Sequence, residues 1–434
     1  MSTRSPKARL ARARLLAGCS LLVALVLLAT LPARAGGPAP EGPPPTPVVV
    51  PGGGTSPSPF QQALRTPPPT TAPPEILAAS AVLADLETGR ILFARDPDAG
   101  RAIASVTKIM TAFLVLERAD PTDIVTISAQ AAGNGRIPGI SELGLQEGER
   151  IAVGDLLYAL MLQSANDAAI ALAEHVSGSV DAFVSLMNRR AERLGMHHTR
   201  FASPNGLEDE GYSSARDLLI LTRAAYRVPG FSSITATRFH SIPAPEGQEP
   251  RVVQNRNLLL WLYPGATGVK TGFTTAAGFC VVATAERDGL SLVAVVLGEP
   301  SEPFSDAAAL MNYGFAAFEL RDLIAEGERL GTVEIGGRDV AVAAGGSVAD
   351  ALVPSQGRVR RTVSVRPDVR FPPALGGVVG VMVLSVGRLE IDRVPLVVTA
   401  VPGPPPPGEP GPWWRRALSA LAGAVGSLLD GLFG

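Results

Sequence analysis

Two proline-rich tracts set the limits of what this chain can fold into. Residues 36–75 hold 14 proline and 6 glycine among 40 residues, and residues 401–412 read VPGPPPPGEPGP. Proline fixes φ and removes an amide donor, so neither tract supports a helix, a sheet ladder or a core, and both read as extended linkers. The folded mass is confined to about residues 76–400, room enough for two domains.

Inside those limits the pattern changes twice. SAVLADLETGRILFARD reads as two strands around a Glu-Thr-Gly turn, helical patterns run from 104 to 228, and strands return at 279–285 and 291–297 around ERDG. Strands at both ends with helices between predict one sheet plus a helical lobe, an α+β domain over residues 76–320. A helix-like stretch, DAAALMNYGFAAFEL, leads out of it. The Val-rich runs GTVEI, RTVSV, GVMVLSV and VPLVVTA, split by Gly and Pro, then predict a small all-β domain over 321–400 with no catalytic constellation.

Both termini carry membrane-related text. Arg4, Lys7, Arg9, Arg12 and Arg14, an apolar run from Leu15 to Leu31, and Ala33-Arg34-Ala35 have the layout of an export signal over residues 1–35. An uncleaved anchor is the competing reading. LAGC at 16–19 resembles a lipoprotein box but precedes most of the apolar run. At the other end, residues 413–434 put Leu418, Leu421, Val425, Leu428, Leu429 and Leu432 on one helical stripe behind Trp413, Trp414, Arg415 and Arg416. That is the pattern of an in-plane amphipathic membrane helix; a short span and a protein-docked helix are the alternatives.

Composition excludes some function classes. A formal net charge of -2 supplies no basic field for nucleic acid. Of the two cysteines, Cys19 leaves with the signal, so Cys280 has no intramolecular disulfide partner and reads as an apolar filler in the strand GFCVVATA. His175, His197, His198 and His240 lack metal-ligand spacing, and His240 has no partner motif; neither a metal nor a cofactor is expected, nor a Ser-His-Asp triad. Arg216-Asp217 reads as a structural helix start.

The chemistry lies in the lysines. Among 38 Lys plus Arg, only Lys7, Lys108 and Lys270 are lysine. Lys108 lies in ASVTKIMTAFLVLE, an apolar helical pattern, three residues after Ser105, so both side chains fall on one helix face. Burial lowers the pKa of a lysine, and a neutral amine can take the proton of a serine hydroxyl, which a guanidinium cannot do. Alone, the pair is better explained by an N-cap serine followed by a snorkelling lysine. Two further motifs strengthen it: Ser164-Ala165-Asn166 between two helical patterns, and Lys270-Thr271-Gly272 at the start of a strand.

With this motif set in this order, the chain resembles the D-alanyl-D-alanine carboxypeptidases, the low-molecular-mass penicillin-binding proteins. LGLQEGERIAVGDLLYALMLQSANDAAIALAE, LGMHHTRFASPNGL, SSARDLLILTRAA, NRNLLLW and GVKTGFTTAAGFCVVATA all look like family text. The resemblance implies a β-lactamase/transpeptidase-like catalytic domain, an antiparallel sheet with a helical lobe. Ser105 would form an acyl-enzyme with a peptidoglycan stem peptide, and Lys108 would be the base. Ser164 would relay a proton to the leaving amine, and Asn166 would bind substrate or orient Lys108. Lys270 and Thr271 would hold the terminal carboxylate, and the Ser105 and Phe273 amides would form the oxyanion hole beside Gly272. β-Lactams would be covalent inhibitors, and the enzyme would work outside the cytoplasmic membrane, docked by its C-terminal helix.

The sequence departs from the family at Phe273, where many relatives carry His or Tyr, and at Phe304, where an arginine often precedes the helix. The same residues would support a DD-endopeptidase acting on cross-links. A β-lactamase would need a deacylating Glu in an E-x-x-L-N segment, which AERLG at 191–195 does not provide. A catalytically silent cell-wall-binding protein would not need the complete motif set.

Overall fold

The computed structural model describes residues 72–403, apart from 135–139, 209, 245–248, 302–303, 354–358 and 388, together with residue 421. The export signal, most of the first linker, most of the second and nearly all of the terminal amphipathic segment lie outside the described residues.

The chain enters the core at Ile76 and forms β1 (Ser80–Asp85) and β2 (Ile91–Arg95) around the expected turn. A 3₁₀ turn, Ala104–Thr107, runs into helix α1 (Lys108–Arg118). The helical lobe continues with β3 (Ile124–Thr126), α2 (Ala129–Asn134), β4 (Arg150–Ala152) and α3 (Val153–Tyr158). A π-helical segment, Ala159–Gln163, follows, then α4 (Asn166–Ser177), α5 (Val180–Leu194), α6 (Ala215–Tyr226) and α7 (Phe231–Ala236). Strands β5 (Phe239–Ile242) and β6 (Arg251–Gln254) pair with each other, and the short α8 (Leu259–Leu262) leads to β7 (Ala266–Thr274), β8 (Gly278–Arg287) and β9 (Leu290–Glu299). Asp288 and Gly289, with φ of 51° and 80°, make the tight turn that the Asp-Gly pair predicts. Helix α9 (Ser305–Ala317) closes the domain.

The antiparallel sheet has the order β2-β1-β9-β8-β7, so strands from the two ends of the domain meet at β1 and β9. Its side chains alternate between two cores. Val82, Ala84, Val282, Val293 and Val295 pack with the helical lobe, whereas Ala81, Leu83, Val281, Ala283, Leu292 and Ala294 pack with α9. Burial on both faces is why these strands read as nearly continuous apolar runs. Cys280 lies on the lobe face, fully buried, and burial pushes its thiol up to about 11, which suits an inert filler. Helix α1 sits in the middle of the lobe and is buried from Lys108 to Val115.

The β-rich C-terminal domain begins just before the expected boundary at 321. Strand β10 (Glu319–Ile324) pairs with a later strand, β13 (Val348–Leu352), and β11 (Arg329–Ile335) pairs with β12 (Arg338–Ala344). With β14 (Arg360–Val365), β15 (Val378–Val386) and β16 (Leu389–Ala400), the larger sheet has the order β11-β12-β16-β15-β14. Val340, Val342, Met382, Leu384, Val394 and Leu396 form its core. Ala351 on β13 packs into the α9-side core of the first domain, and Arg90 pairs with Asp350 beside it at 2.7 Å.

Candidate active site

Ser105 lies in the 3₁₀ turn and not in the α-helix that the sequence suggested for both residues. A 3₁₀ geometry aligns i and i+3 side chains, so the change brings Ser105 over Lys108. Lys108 Nζ is 3.0 Å from Ser105 Oγ, 2.7 Å from Asn166 Oδ1 and 2.7 Å from Asn205 O. Its ammonium thus has three acceptors for three donors. The lysine is fully buried, and its pKa is held well below the ordinary value by desolvation first, then by the charges of Lys270 and Arg256.

Close backbone approaches hold the turn in place. Ala104 has φ of 46°, and its carbonyl presses on Gly206, where an added Cβ would lie 2.0 Å from Ala104 O. From the other side comes Gly272, where a Cβ would meet Ser105 N at 2.9 Å. The glycine of the Lys-Thr-Gly motif is therefore the residue that lets β7 lie against the Ser105 amide.

Ser164 closes the π-helical segment with φ of 64° and ψ of 33°, a left-handed conformation that costs a non-glycine residue about 1–2 kcal/mol. Such strain is concentrated at functional sites. Lys108 directs its donors at Ser105, Asn166 and Asn205, and Lys270 Nζ donates to Thr271 O at 3.0 Å, so neither lysine holds Ser164 Oγ. Asn166 N and Nδ2 both donate to Ser141 O at 2.9 Å, which turns Oδ1 toward Lys108. The contact between Asn166 Oδ1 and Lys108 fits one of the two roles expected for Asn166, that of orienting the lysine. The adjacent Asp167, buried at the first turn of α4, accepts from the amides of Leu143, Gly144 and Leu145 and pins that segment to the start of the helix.

Lys-Thr-Gly lies in the middle of β7, not at a strand start as expected, and β7 is the sheet edge facing the 3₁₀ turn. Lys270 is buried, and desolvation, then the charge of Arg256, lowers its pKa to about 7. Phe273 is 58% exposed and packs on its cross-strand neighbour Phe279, with ring centroids 4.6 Å apart.

Sequence reasoning missed several contributors. Arg256 donates to Ser141 Oγ and acts on both lysines, yet nothing marked it out in a chain that uses arginine nearly everywhere. Asn205 acts through its carbonyl, and the only signal was the turn text SPNG. His240 has no partner motif in the sequence, and in the fold its Nε2 lies 2.7 Å from Asp155 Oδ1 and its ring stacks on Tyr158. That pairing comes from tertiary packing of β5 on α3. Arg216 pairs with Asp98, and Asp217 lies in the first turn of α6 behind the capping Ser214, as expected of a structural helix start. Phe304 is buried in the α9-side core. Among the described residues, no group of three or more His, Cys, Asp or Glu is gathered to hold a metal ion.

The sequence profile of the D-alanyl-D-alanine carboxypeptidase family matches residues 68–301, more than half of the chain. The chain belongs to this family. It is 31% identical over 321 residues to the D-alanyl-D-alanine carboxypeptidase DacF of Bacillus subtilis, covering 71% of this chain and 81% of the relative. To DacC of Escherichia coli it is 33% identical over 341 residues, covering 74% and 83%. The crystal structure of penicillin binding protein 5 from Haemophilus influenzae superimposes with a TM-score of 0.66 at 31% identity, over 76% of this chain and 98% of that one. This D-alanyl-D-alanine carboxypeptidase is thus a serine-type peptidase with the transpeptidase-like fold, and its penicillin-binding relatives span both the catalytic and the β-rich domain.

Proposed function

We propose that the carboxypeptidase removes the terminal D-alanine of peptidoglycan stem pentapeptides through an acyl-enzyme on Ser105. The observation that carries this reading is a buried Lys108 whose Nζ lies 3.0 Å from Ser105 Oγ, with a pKa held well below its ordinary value. Lys108, as the neutral amine, takes the Ser105 hydroxyl proton while Oγ attacks the carbonyl between the two D-alanines. The amides of Ser105 and Phe273 receive the developing oxyanion. As the C–N bond breaks, Ser164 relays a proton from the Lys108 ammonium to the departing amine, a role that requires its hydroxyl to turn toward Lys108 once substrate is bound. Water then adds to the ester carbonyl, Ser105 recovers its proton, and the shortened peptide leaves.

Recognition rests on charge. Lys270, protonated, and Thr271 hold the terminal carboxylate, and the carboxylate in turn raises the Lys270 pKa above its free value of about 7. A penicillin acylates the same serine. We further propose that the catalytic domain spans 76–320 and the β-rich domain 321–400, and that the exported enzyme docks on the outer face of the cytoplasmic membrane through residues 413–434. No described helix is by itself long and apolar enough to cross a membrane.

Incubation of the full chain with a stem pentapeptide should release free D-alanine, and Ser105→Ala should abolish release and labelling by a fluorescent penicillin, a loss of at least about 10⁴-fold. Labelling that survives in Ser105→Ala overturns the nucleophile assignment. Cleavage of cross-linked muropeptides without D-alanine release from the pentapeptide would make the enzyme an endopeptidase.

A further inference from the structure

Strand β7 must present Lys270, Thr271 and Gly272 at one height against the Ser105 turn, and an edge strand has a ladder on one side only. What sets that height lies at the beginning of the strand. The β7–β8 register shifts between Ala266 and Gly268, a bulge that leaves Thr267 out of the pairing. Bulges of this kind re-aim the residues that follow them. Side chains from outside the sheet take up the carbonyls at the bulge. Thr267 O accepts from Thr235 Oγ1 at 3.3 Å and Tyr226 OH at 3.5 Å, and Gly268 O accepts from Asn257 Nδ2 at 2.7 Å.

Asn257 is itself held rigidly. It is 1% exposed, its amide donates to Asn255 Oδ1 at 3.0 Å, and its Oδ1 accepts from Leu259 N at 3.2 Å. Asn255 is anchored in turn, its Nδ2 donating to Thr235 O and Thr237 O. The side-chain amide of Asn257 therefore has a fixed orientation, with the donor aimed at the bulge two residues before Lys270. A side chain at Gly268 would have no room on this side, because a Cβ there would meet Thr235 at 2.9 Å.

We propose that Asn257 is a positioning residue: by holding Gly268 O at the bulge, it sets the place of Lys270 and Thr271 and so the recognition of the substrate's terminal carboxylate. The proposal rests on the reading of Lys270 as the carboxylate clamp. Its signature is uneven, since a displaced clamp weakens carboxylate recognition most, while Lys108 keeps its contacts to Asn166 and Asn205 and the Ser105 turn keeps its contact with Gly206.

The test compares kcat/KM for an N-acylated D-alanyl-D-alanine peptide with that for the same peptide amidated at its terminal carboxylate. Lys270→Ala should collapse the preference for the free carboxylate; if it does not, the clamp reading fails independently of Asn257. Given that collapse, Asn257→Ala and Asn257→Asp should each lower the preference by about tenfold or more, chiefly through KM, with a distinctly smaller loss on the amidated peptide than on the free acid. Asn257→Asp keeps the side-chain shape and the acceptor for Leu259 N and loses the amide donor, so it carries the test if Asn257→Ala fails to fold. Equal losses on both peptides would reduce Asn257 to a general structural residue, and an unchanged preference would remove it from recognition; either overturns the proposal.

Discussion

The two five-stranded sheets of this enzyme handle buried polarity in opposite ways. Around the first sheet, Lys108, Asn166, Asp167, Lys270, Asn255 and Asn257 are all buried, and each of these side chains has a hydrogen-bond partner. Among the described residues of the β-rich domain, Asp350 is the only buried polar or charged side chain, and it faces the first domain. Both sheets have well-formed apolar cores, so buried charge is not what makes either one fold. It is concentrated around Lys108 and Lys270, and the burial that lowers the Lys108 pKa also makes its charge costly to keep.

The largest effect expected from breaking this asymmetry is chemical. Lys108→Arg keeps the positive charge and much of the stem, but a guanidinium stays protonated and cannot accept the Ser105 proton. D-alanine release should fall by about 10³-fold or more. Covalent labelling by penicillin should slow in parallel, because acylation uses the same base. If the variant folds and labels at the parent rate, the base is another group.

A smaller effect should appear in the pH profile. Lys108 must be neutral to act as base, so activity rises with pH through its lowered pKa; Lys270 must be charged to hold the carboxylate, so recognition declines as pH rises past its free-enzyme value of about 7. The profile of kcat/KM should therefore be bell-shaped. Arg256 lowers both lysines, and removing its charge favours the protonated form of each. Arg256→Gln should shift both limbs of the bell to higher pH, with more activity retained on the alkaline side than in the parent enzyme. Limbs that stay in place would show that Arg256 acts only through Ser141.

The same asymmetry explains what could be read from the sequence. The strands of the first sheet and the motif residues Ser105, Lys108, Ser164, Asn166 and Lys270 were legible because their signals are local: apolar runs, a three-residue spacing and rare lysines. The 3₁₀ turn was not, since the close approaches of Gly206 and Gly272 that hold it come from distant parts of the chain. The contacts of Asn205, Arg256 and Asn257 were invisible because their partners are far away in the chain, Lys108 at a separation of 97 residues and Ser141 at 115, or are backbone carbonyls. In the β-rich domain, β10 and β13 escaped because Glu319, Arg321, Asp322 and Asp350 interrupt the apolar alternation.

The smallest effect on activity should come from the one place where, among its described residues, the β-rich domain buries a charge. Asp350 Oδ2 pairs with Arg90, while Oδ1 is buried without a hydrogen-bond partner, and desolvation raises the carboxyl above its ordinary value in spite of the arginine. Arg90→Ala would leave that carboxylate buried and unpaired, a cost of about 3 kcal/mol. Turnover should stay within about twofold of the parent, because neither residue touches the lysines or Ser105. A carboxyl whose folded pKa is raised destabilises the fold at pH values above that pKa, and the penalty disappears as it is protonated on the way down. The thermal deficit of Arg90→Ala should accordingly shrink as pH falls toward the carboxyl range, and Asp350→Asn in the same chain should remove most of it at neutral pH. A deficit that is constant with pH would mean that Arg90 supports the junction through packing of its stem and not through its charge.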